Sequence, residues 1–253
     1  MAVYPIADDV HLISRCVEVR GAERPSNSLV IQAQRPVVID TVYPPQAEGF
    51  LEDLGSILDP ATVTFVAITH ADPDHTGALV RLLFRAPNAR ILTNDPGMQK
   101  LMGDFGLPRE RFKLINPGMS VDLGDRTLSA HWVPLFDQPE TMGFFDHRSR
   151  VFHASDCFGA ITDRFVPFAD QADPDEYHDG FRYWNLSNHH WVRFVDPAKF
   201  APLLDAIRAL QPSVIVSTHG PAIRKDIEQA LAWLAELPEV GSFDFPPIDG
   251  ETR

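Results

Sequence analysis

Cysteine is nearly missing from this chain: two occur among 253 residues, Cys16 and Cys157. Two thiols cannot build a disulfide framework, and such sparing use fits a reducing, cytoplasmic setting. Basic residues are also few. Lysine and arginine total 22 against 35 acidic side chains, nowhere clustered, for a net charge of −13. Phosphate recognition needs a basic footprint, so neither nucleic acid nor an anionic membrane is expected as a partner. No apolar run is long enough to span a bilayer as a helix. The opening MAVYPIADDV lacks the basic-then-apolar order of a secretory signal. Without an export signal, the formal glycosylation triplet Asn185-Leu186-Ser187 carries little weight. There is no GxSxG nucleophile elbow and no GxxxxGK[ST] phosphate loop. Nor is there a repeat, a low-complexity tract or a Pro/Gly/Ser linker, so one domain over residues 1–253 is expected.

What is present is apolar sequence in short, ordered blocks, 44% of the chain. VHLISRCVEV, SLVIQAQ and PVVIDTVY are rich in Val and Ile, with Gly21 and Pro36 between them, and read as strands. Residues 47–58 place Phe50, Leu51, Leu54, Ile57 and Leu58 at helical intervals. TVTFVAITH is a continuous apolar run that reads as a buried strand ending at His70, and residues 75–85 return to helical spacing. ARILTN reads as a strand, and DPGMQKLMGDFG as a helix opened by Asp95 as N-cap and Pro96 at N1. MSVDLG, TLSAHWVPL, MGFFD and RVFHAS follow as a meander. Residues 160–195 are aromatic and polar and resist assignment. PAKFAPLLDAIRAL is an amphipathic helix, SVIVSTHG another apolar strand ending in histidine, and IRKDIEQALAWLAEL a final helix. Two blocks of strands, each closed by helices, predict an α/β fold in four layers, αββα.

The densest stretch of potential ligands is THADPDHTG, with two histidines and two aspartates between His70 and His75. It leads from a strand's C-terminal end into a helix, where binding groups collect in layered α/β folds. SVIVSTHG brings His219 to a second strand end, and RVFHASD brings Asp156 to a third. Strand ends on one edge of a sandwich converge, so these distant residues are expected at one site. Mixed imidazole and carboxylate groups there point to a metal.

HADPDH resembles the HxHxDH signature of the metallo-β-lactamase superfamily, with Asp72 where its hydrolases carry a second histidine. The flavodiiron branch carries HxExDH, with a carboxylate at that position. Other segments resemble the same branch. SNSLVI and VVIDTVYP are similar to its N-terminal hairpin, and PLFDQPETM to its PxxHWPDSM segment. HASDCFGA is similar to its SxDAFG segment, and STHGPAIR to its SHGPIWR-like segment. The resemblance covers roughly residues 10–236 and implies the αββα metallo-β-lactamase sandwich with two metal ions. One ion would be held by His70, Asp72 and Asp137, the other by Asp74, His75 and His219, with Asp156 bridging. Two positions depart from the branch: Asp137 stands where it has histidine, and Asp72 where it usually has glutamate. Both fall on the first ion, whose site is expected to be weaker, distorted or partly empty. His131, His147 and His153 are the nearby alternatives to Asp137.

Donor chemistry points the same way. Zinc hydrolases favour imidazole and thiolate, whereas mixed histidine and carboxylate sets suit non-haem iron or manganese. Asp72, Asp74, Asp137 and Asp156 carry four charges that two divalent cations would neutralise, and they could not all stay ionised cheaply otherwise. Metal should therefore stabilise the fold. The expectation is a di-iron protein, with manganese or zinc as alternative metals, that binds O2 or NO as a reductase, sensor or carrier. No flavin is expected in this chain, since only 17 residues follow position 236, where the branch's flavodoxin domain would begin. Electrons would come from a separate flavoprotein or rubredoxin-like donor, and the resemblance suggests a homodimer. The competing reading is a dinuclear zinc or manganese hydrolase of an ester, thioester, lactone or phosphodiester. A third is a mononuclear or apo binding module disabled at Asp137. Cys157, beside Asp156 on a strand, should point away from the site. Trp184, His189, His190 and Trp191 read equally as pocket wall or as core and surface, and Tyr177 or Tyr183 as donors to a bound diatomic.

Overall fold

The computed structural model describes residues 2–19 and 22–241. The first sheet starts with β1 (Val3–Ala7), β2 (Val10–Val19), β3 (Ala22–Ile31) and β4 (Val37–Ile39), neighbours paired antiparallel. It continues in parallel with β5 (Phe65–Ala67), β6 (Arg90–Thr93) and β7 (Phe112–Leu114). Parallel neighbours need crossovers. These contain α1 (Ala47–Ile57), then α2 (Pro73–Thr76) with α3 (Leu79–Arg85), then α4 (Asp95–Phe105). In the second sheet β8 (Ser120–Asp122), β9 (Thr127–His131), β10 (Gly143–Asp146) and β11 (Val151–His153) are antiparallel. After α5 (Pro174–Asn188) and α6 (Pro197–Leu210), β12 (Val214–Val216) adds parallel to β11, and α7 (Ile227–Glu236) follows.

Strand alternation separates three apolar cores. Val38 of β4 and Val30 of β3 face the first helical layer, against Phe50 and Leu54 of α1, Leu79 and Leu82 of α3 and Leu101 of α4. Their neighbours Val37, Ile39, Leu29 and Ile31 face the other way, onto Leu128, Phe144, Val151 and Val216 of the second sheet. Phe145, Phe152 and Ile215 leave that sheet on its far side and meet Phe181, Phe200, Leu204 and Leu231 of α5, α6 and α7. This is the expected four-layer αββα sandwich. Each fully buried Phe or Leu contributes about 1.5–3 kcal/mol, so the layer order is strongly specified.

The boundaries differ from the sequence reading in instructive places. The run TVTFVAITH is a strand only over Phe65–Ala67, and the backbone then leaves the sheet before His70. The helix expected over residues 75–85 is broken at Gly77 and Ala78. Thr41 causes the break: its hydroxyl donates to the His75 carbonyl (3.0 Å) and accepts from the Ala78 amide (3.1 Å). Asn94, not Asp95, caps α4, accepting from Gly97 N at 3.1 Å. The unassigned segment contains α5, capped by Asp173 with Pro174 at its first position. Its buried residues Tyr177, Gly180, Phe181, Trp184 and Asn185 follow a helical stripe that the polar residues between them obscure.

Gly77 sits where no side chain fits. A Cβ there would lie 2.3 Å from Pro44 N and 2.4 Å from the Val42 carbonyl oxygen. Gly77→Ala should therefore cost about 1–3 kcal/mol, read as a lower urea midpoint at unchanged slope. Gly55→Ala, with open space around it in α1, should be stabilising by about 0.5–1 kcal/mol.

Candidate metal centre

Both sheets send groups to one edge of the sandwich. His70, Asp72, Asp74 and His75 come from the turn after β5, Asp137 from the connection between β9 and β10, Asp156 from the turn after β11, and His219 from the turn after β12. Their donor atoms form three overlapping sets: His70, Asp72 and Asp137; Asp74, His75 and His219; and His70, His75 and Asp156. Within each set the atoms lie within 4.8 Å of one another. All seven residues expected at the site are thus in these sets, with Asp156 among the histidines of both halves. His75 Nε2 is 3.0 Å and His219 Nε2 3.6 Å from Asp156 Oδ1, and His219 Nε2 is 2.9 Å from Asp74 Oδ2. His70 Nε2 is 3.7 Å from Asp72 Oδ2 and 3.8 Å from Asp137 Oδ2. Despite this closeness, the Nε2 atoms of all three histidines and Asp156 Oδ1 have no well-directed hydrogen bond and are buried. Buried polar atoms are rarely left so. Donors converging on a common point without bonding each other fit a cation.

The histidine tautomers follow from the groups behind them. Asp40, fully buried at the end of β4, accepts at Oδ2 from Thr69 Oγ1 (2.7 Å) and from His75 Nδ1 (2.8 Å), and at Oδ1 from the Thr69 amide (2.8 Å). Ser155 Oγ donates to Thr69 Oγ1 at 2.9 Å. Both hydroxyl protons are committed, so His70 Nδ1, 3.0 Å from Ser155 Oγ, must be the donor to it. His219 Nδ1 faces the Pro25 carbonyl at 2.8 Å, which can only accept. Each ring therefore carries its proton on Nδ1 and presents an Nε2 lone pair to the pocket. Asp40 and Ser155 both hold left-handed backbone, φ 54° each, a conformation that costs about 1–3 kcal/mol and clusters at functional sites.

Carboxylate crowding is visible in proton affinity. Burial, then the charges of Asp156 and Asp74, push the Asp137 carboxyl up to about 6. Asp72 is raised by burial and by Asp137. Asp74 goes the other way, to about 2: burial opposes, but the closeness of His219 and the charge of His75 prevail. His75 is carried well above its ordinary value because Asp40 and Asp156 outweigh burial. With no metal bound, the carboxylates favour a second proton on His75 and His219, whereas burial holds His70 below its ordinary value; a metal would compete with those protons for the Nε2 lone pairs.

Other expectations resolve one by one. Cys157 points away, into the core with Phe158 and Phe181. Trp184 walls the pocket: its Nε1 donates to the Asp156 carbonyl at 2.9 Å and its ring lies 4.7 Å from that of His219. His189 is buried and feels the Asp156 charge, His190 is exposed, and Trp191 packs on Phe136 at 4.9 Å beside Asp137. His131 and His147 bond Ser129 instead of joining the donor sets, and His153 accepts from the Ser155 amide. Tyr177 is a correction: it packs against Phe181 and Trp233 in the helical core, with no charge of the site acting on it. The phenol near the site is Tyr43, bonded to Asp74 and pushed up to about 12 by burial and the Asp74 and Asp156 charges. Asp40, Thr69, Ser155, Asn188 and Tyr43 were not anticipated. Asp40 had a signal, a lone acid ending an apolar run. Asn188, which donates to Asp156 Oδ2 at 3.0 Å, had none.

Two sheets between helical layers, with histidines and aspartates gathered at one edge, define a metallo-β-lactamase-type sandwich. The chain belongs to the family described as ODP family beta lactamase, whose model matches residues 25–220. The anaerobic nitric oxide reductase flavorubredoxin of Vibrio vulnificus (strain YJ016) is 29% identical over 213 residues, 82% of this chain and 42% of that protein. The Salmonella typhi protein of the same name is 28% identical over 84% of this chain and 45% of its own length. The chain thus spans less than half of these curated relatives. Among solved structures, the flavodiiron protein of Giardia intestinalis superposes with a TM-score of 0.81 at 21% identity, covering 94% of this chain and 60% of that one. Rubredoxin oxygen:oxidoreductase of Desulfovibrio gigas gives 0.78 at 22% identity, covering 94% and 61%.

Two measurements check this geometry. Asp40→Asn should lower metal affinity about 10- to 100-fold, affecting both halves of the centre, whereas Ser155→Ala should weaken only the half containing His70; competition with a chromogenic chelator reads both. Asp137 supplies the pH test. Its folded carboxyl sits near 6 against an ordinary 3.8, so between these values the folded chain binds more protons than the unfolded one. That carboxyl contributes stability that is lost as pH rises through the window, while His153 and His189, held near 4 by burial, contribute the opposite slope; the thermal stability of the metal-stripped chain relative to its Asp137→Asn variant should therefore fall as pH rises toward 6.

Proposed function

We propose that this chain holds two metal ions, iron in preference to manganese or zinc, and binds O2 or NO there. His70, Asp72 and Asp137 would hold the first ion, Asp74, His75 and His219 the second, and Asp156 would bridge them. The observation that carries the reading is the convergence of three unpartnered imidazole nitrogens and an Asp156 oxygen from both sheets. The names of the relatives support the choice of ligand, since they are called nitric oxide reductases and an oxygen:oxidoreductase. Four carboxylates among seven ligands support iron over a zinc-hydrolase centre, and the hydrolase alternative is not favoured.

Two ferrous ions would supply electrons to a bound diatomic. The chain's own groups would do the rest. Asp40, Thr69 and Ser155 fix the imidazoles so that donor positions do not drift on loading. Asn188 and the Trp184 ring hold and cover Asp156. The Tyr43 phenol keeps its proton at neutral pH and places it beside Asp74. Repeated turnover would draw electrons from a separate flavoprotein or rubredoxin-like donor. A cytoplasmic homodimer, without nucleic acid or membrane partners, completes the proposal; none of the helices among the described residues is long and apolar enough to cross a membrane.

The test is anaerobic loading with ferrous ion, elemental analysis and titration with NO. Up to two irons per chain and a new visible absorption band on NO addition are expected. The band should vanish in Asp156→Asn, with near-native circular dichroism retained. A chain that takes up no iron, or gives no NO-dependent band when loaded, would overturn the reading.

A further inference from the structure

We propose that Lys100 and Glu140 are positioning residues for the first metal position: together they form a strut that holds Asp137 against the turn carrying His70 and Asp72. This rests on the two-metal reading above and deepens it at one ion. The ligands of that position come from different sheets. His70 and Asp72 follow β5 in the first, whereas Asp137 lies between β9 and β10 of the second. An aspartate reaches less far than an imidazole, so the backbone at 137 has to be held close to its partners.

Glu140, fully buried, provides the hold. Its Oε1 accepts from Lys100 Nζ at 2.7 Å and, more weakly, from the Ala71 amide at 3.4 Å. Ala71 stands between His70 and Asp72, so this contact joins the two ligand-bearing segments. Lys100 Nζ also donates to Gln138 Oε1 at 2.6 Å, beside Asp137. The same helix takes a second grip: Asn94, the N-cap of α4, donates from Nδ2 to the Glu140 carbonyl at 2.8 Å. Two points on one rigid helix thus fix residues 138–140. Thr141 closes the turn, its amide donating to the Gln138 carbonyl at 3.1 Å and its hydroxyl to Asp137 Oδ1 at 3.4 Å. Asp137 Oδ2 is left facing His70 Nε2. A buried carboxylate is costly without its cation. Losing Lys100 would make Glu140 take a proton or turn away, and the contact with Ala71 would go with it. The Lys100 side chain is 38% exposed, so its removal opens no cavity in the core. None of these bonds touches Asp74, His75 or His219, so the second position should not respond.

Anaerobic titration of the metal-stripped chain with ferrous ion, in competition with a chromogenic chelator, reads the two affinities separately. Lys100→Met should weaken one ion about 10-fold and leave the other unchanged. Lys100→Arg keeps the cation and should bind both ions as the unmodified chain does. In Asp72→Asn, where the first position is already impaired, adding Lys100→Met should leave the remaining affinity unchanged. Should the lone charge at Glu140 unfold Lys100→Met, the pair Lys100→Met with Glu140→Gln removes that charge and should show the same loss at one ion. Both ions weakened alike, neither weakened, or an equal loss in the Asp72→Asn background would overturn the strut and leave the two-metal reading standing. An unmodified chain that takes up no iron would sink both.

Discussion

The burial of Asp156 among histidines is the constraint that organises this molecule. Its carboxylate is buried, lies within 3.6 Å of two imidazoles, and has one oxygen without a directed hydrogen bond. Burying a carboxylate is costly unless positive charge accompanies it. Here the neighbours are histidines whose Nδ1 protons are committed elsewhere, so that their Nε2 atoms compete for the same point in space. Protons at those nitrogens satisfy the site only partly. Divalent cations would satisfy it fully, and the surrounding carboxylates match two of them.

Around that point the fold supplies rigidity from a distance. Asp40 follows β4, Thr69 and His75 follow β5, and Ser155 follows β11, so the bonds among them join the two sheets behind the donors. The same Thr41 that breaks the helix after His75 fixes that residue's carbonyl. Helix geometry is sacrificed where the site needs a turn, and the strained backbone at Asp40 and Ser155 follows the same logic.

Much of this was legible in the sequence. Apolar runs of strand length alternating with helical stripes located most of the framework, because burial on two faces of a sheet leaves a strong imprint. Among the candidate ligands, His70, Asp156 and His219 were legible as polar groups at the ends of apolar runs, whereas the roles of Asp72, Asp74, His75 and Asp137 came from the resemblance of their segments to flavodiiron motifs. Three things were not. The helix spanning Pro174–Asn188 hides its buried stripe among polar residues, although Asp173-Pro174 marks its start. The end of the strand before His70 depends on hydrogen bonds to Asp40, a partner 29 positions away. Tyr43 rather than Tyr177 stands at the pocket because packing, not residue type, decides which phenol faces the charges.

The proposed ligands come from both sheets. His70, Asp72, Asp74 and His75 belong to the first and Asp137, Asp156 and His219 to the second. Ions seated among them would rivet the two halves of the sandwich along one seam, where the apolar layer between the sheets ends. Metal supply would then set the mechanical integrity of the chain as well as its chemistry, and a starved cell would hold a looser, more readily degraded molecule instead of a merely idle one.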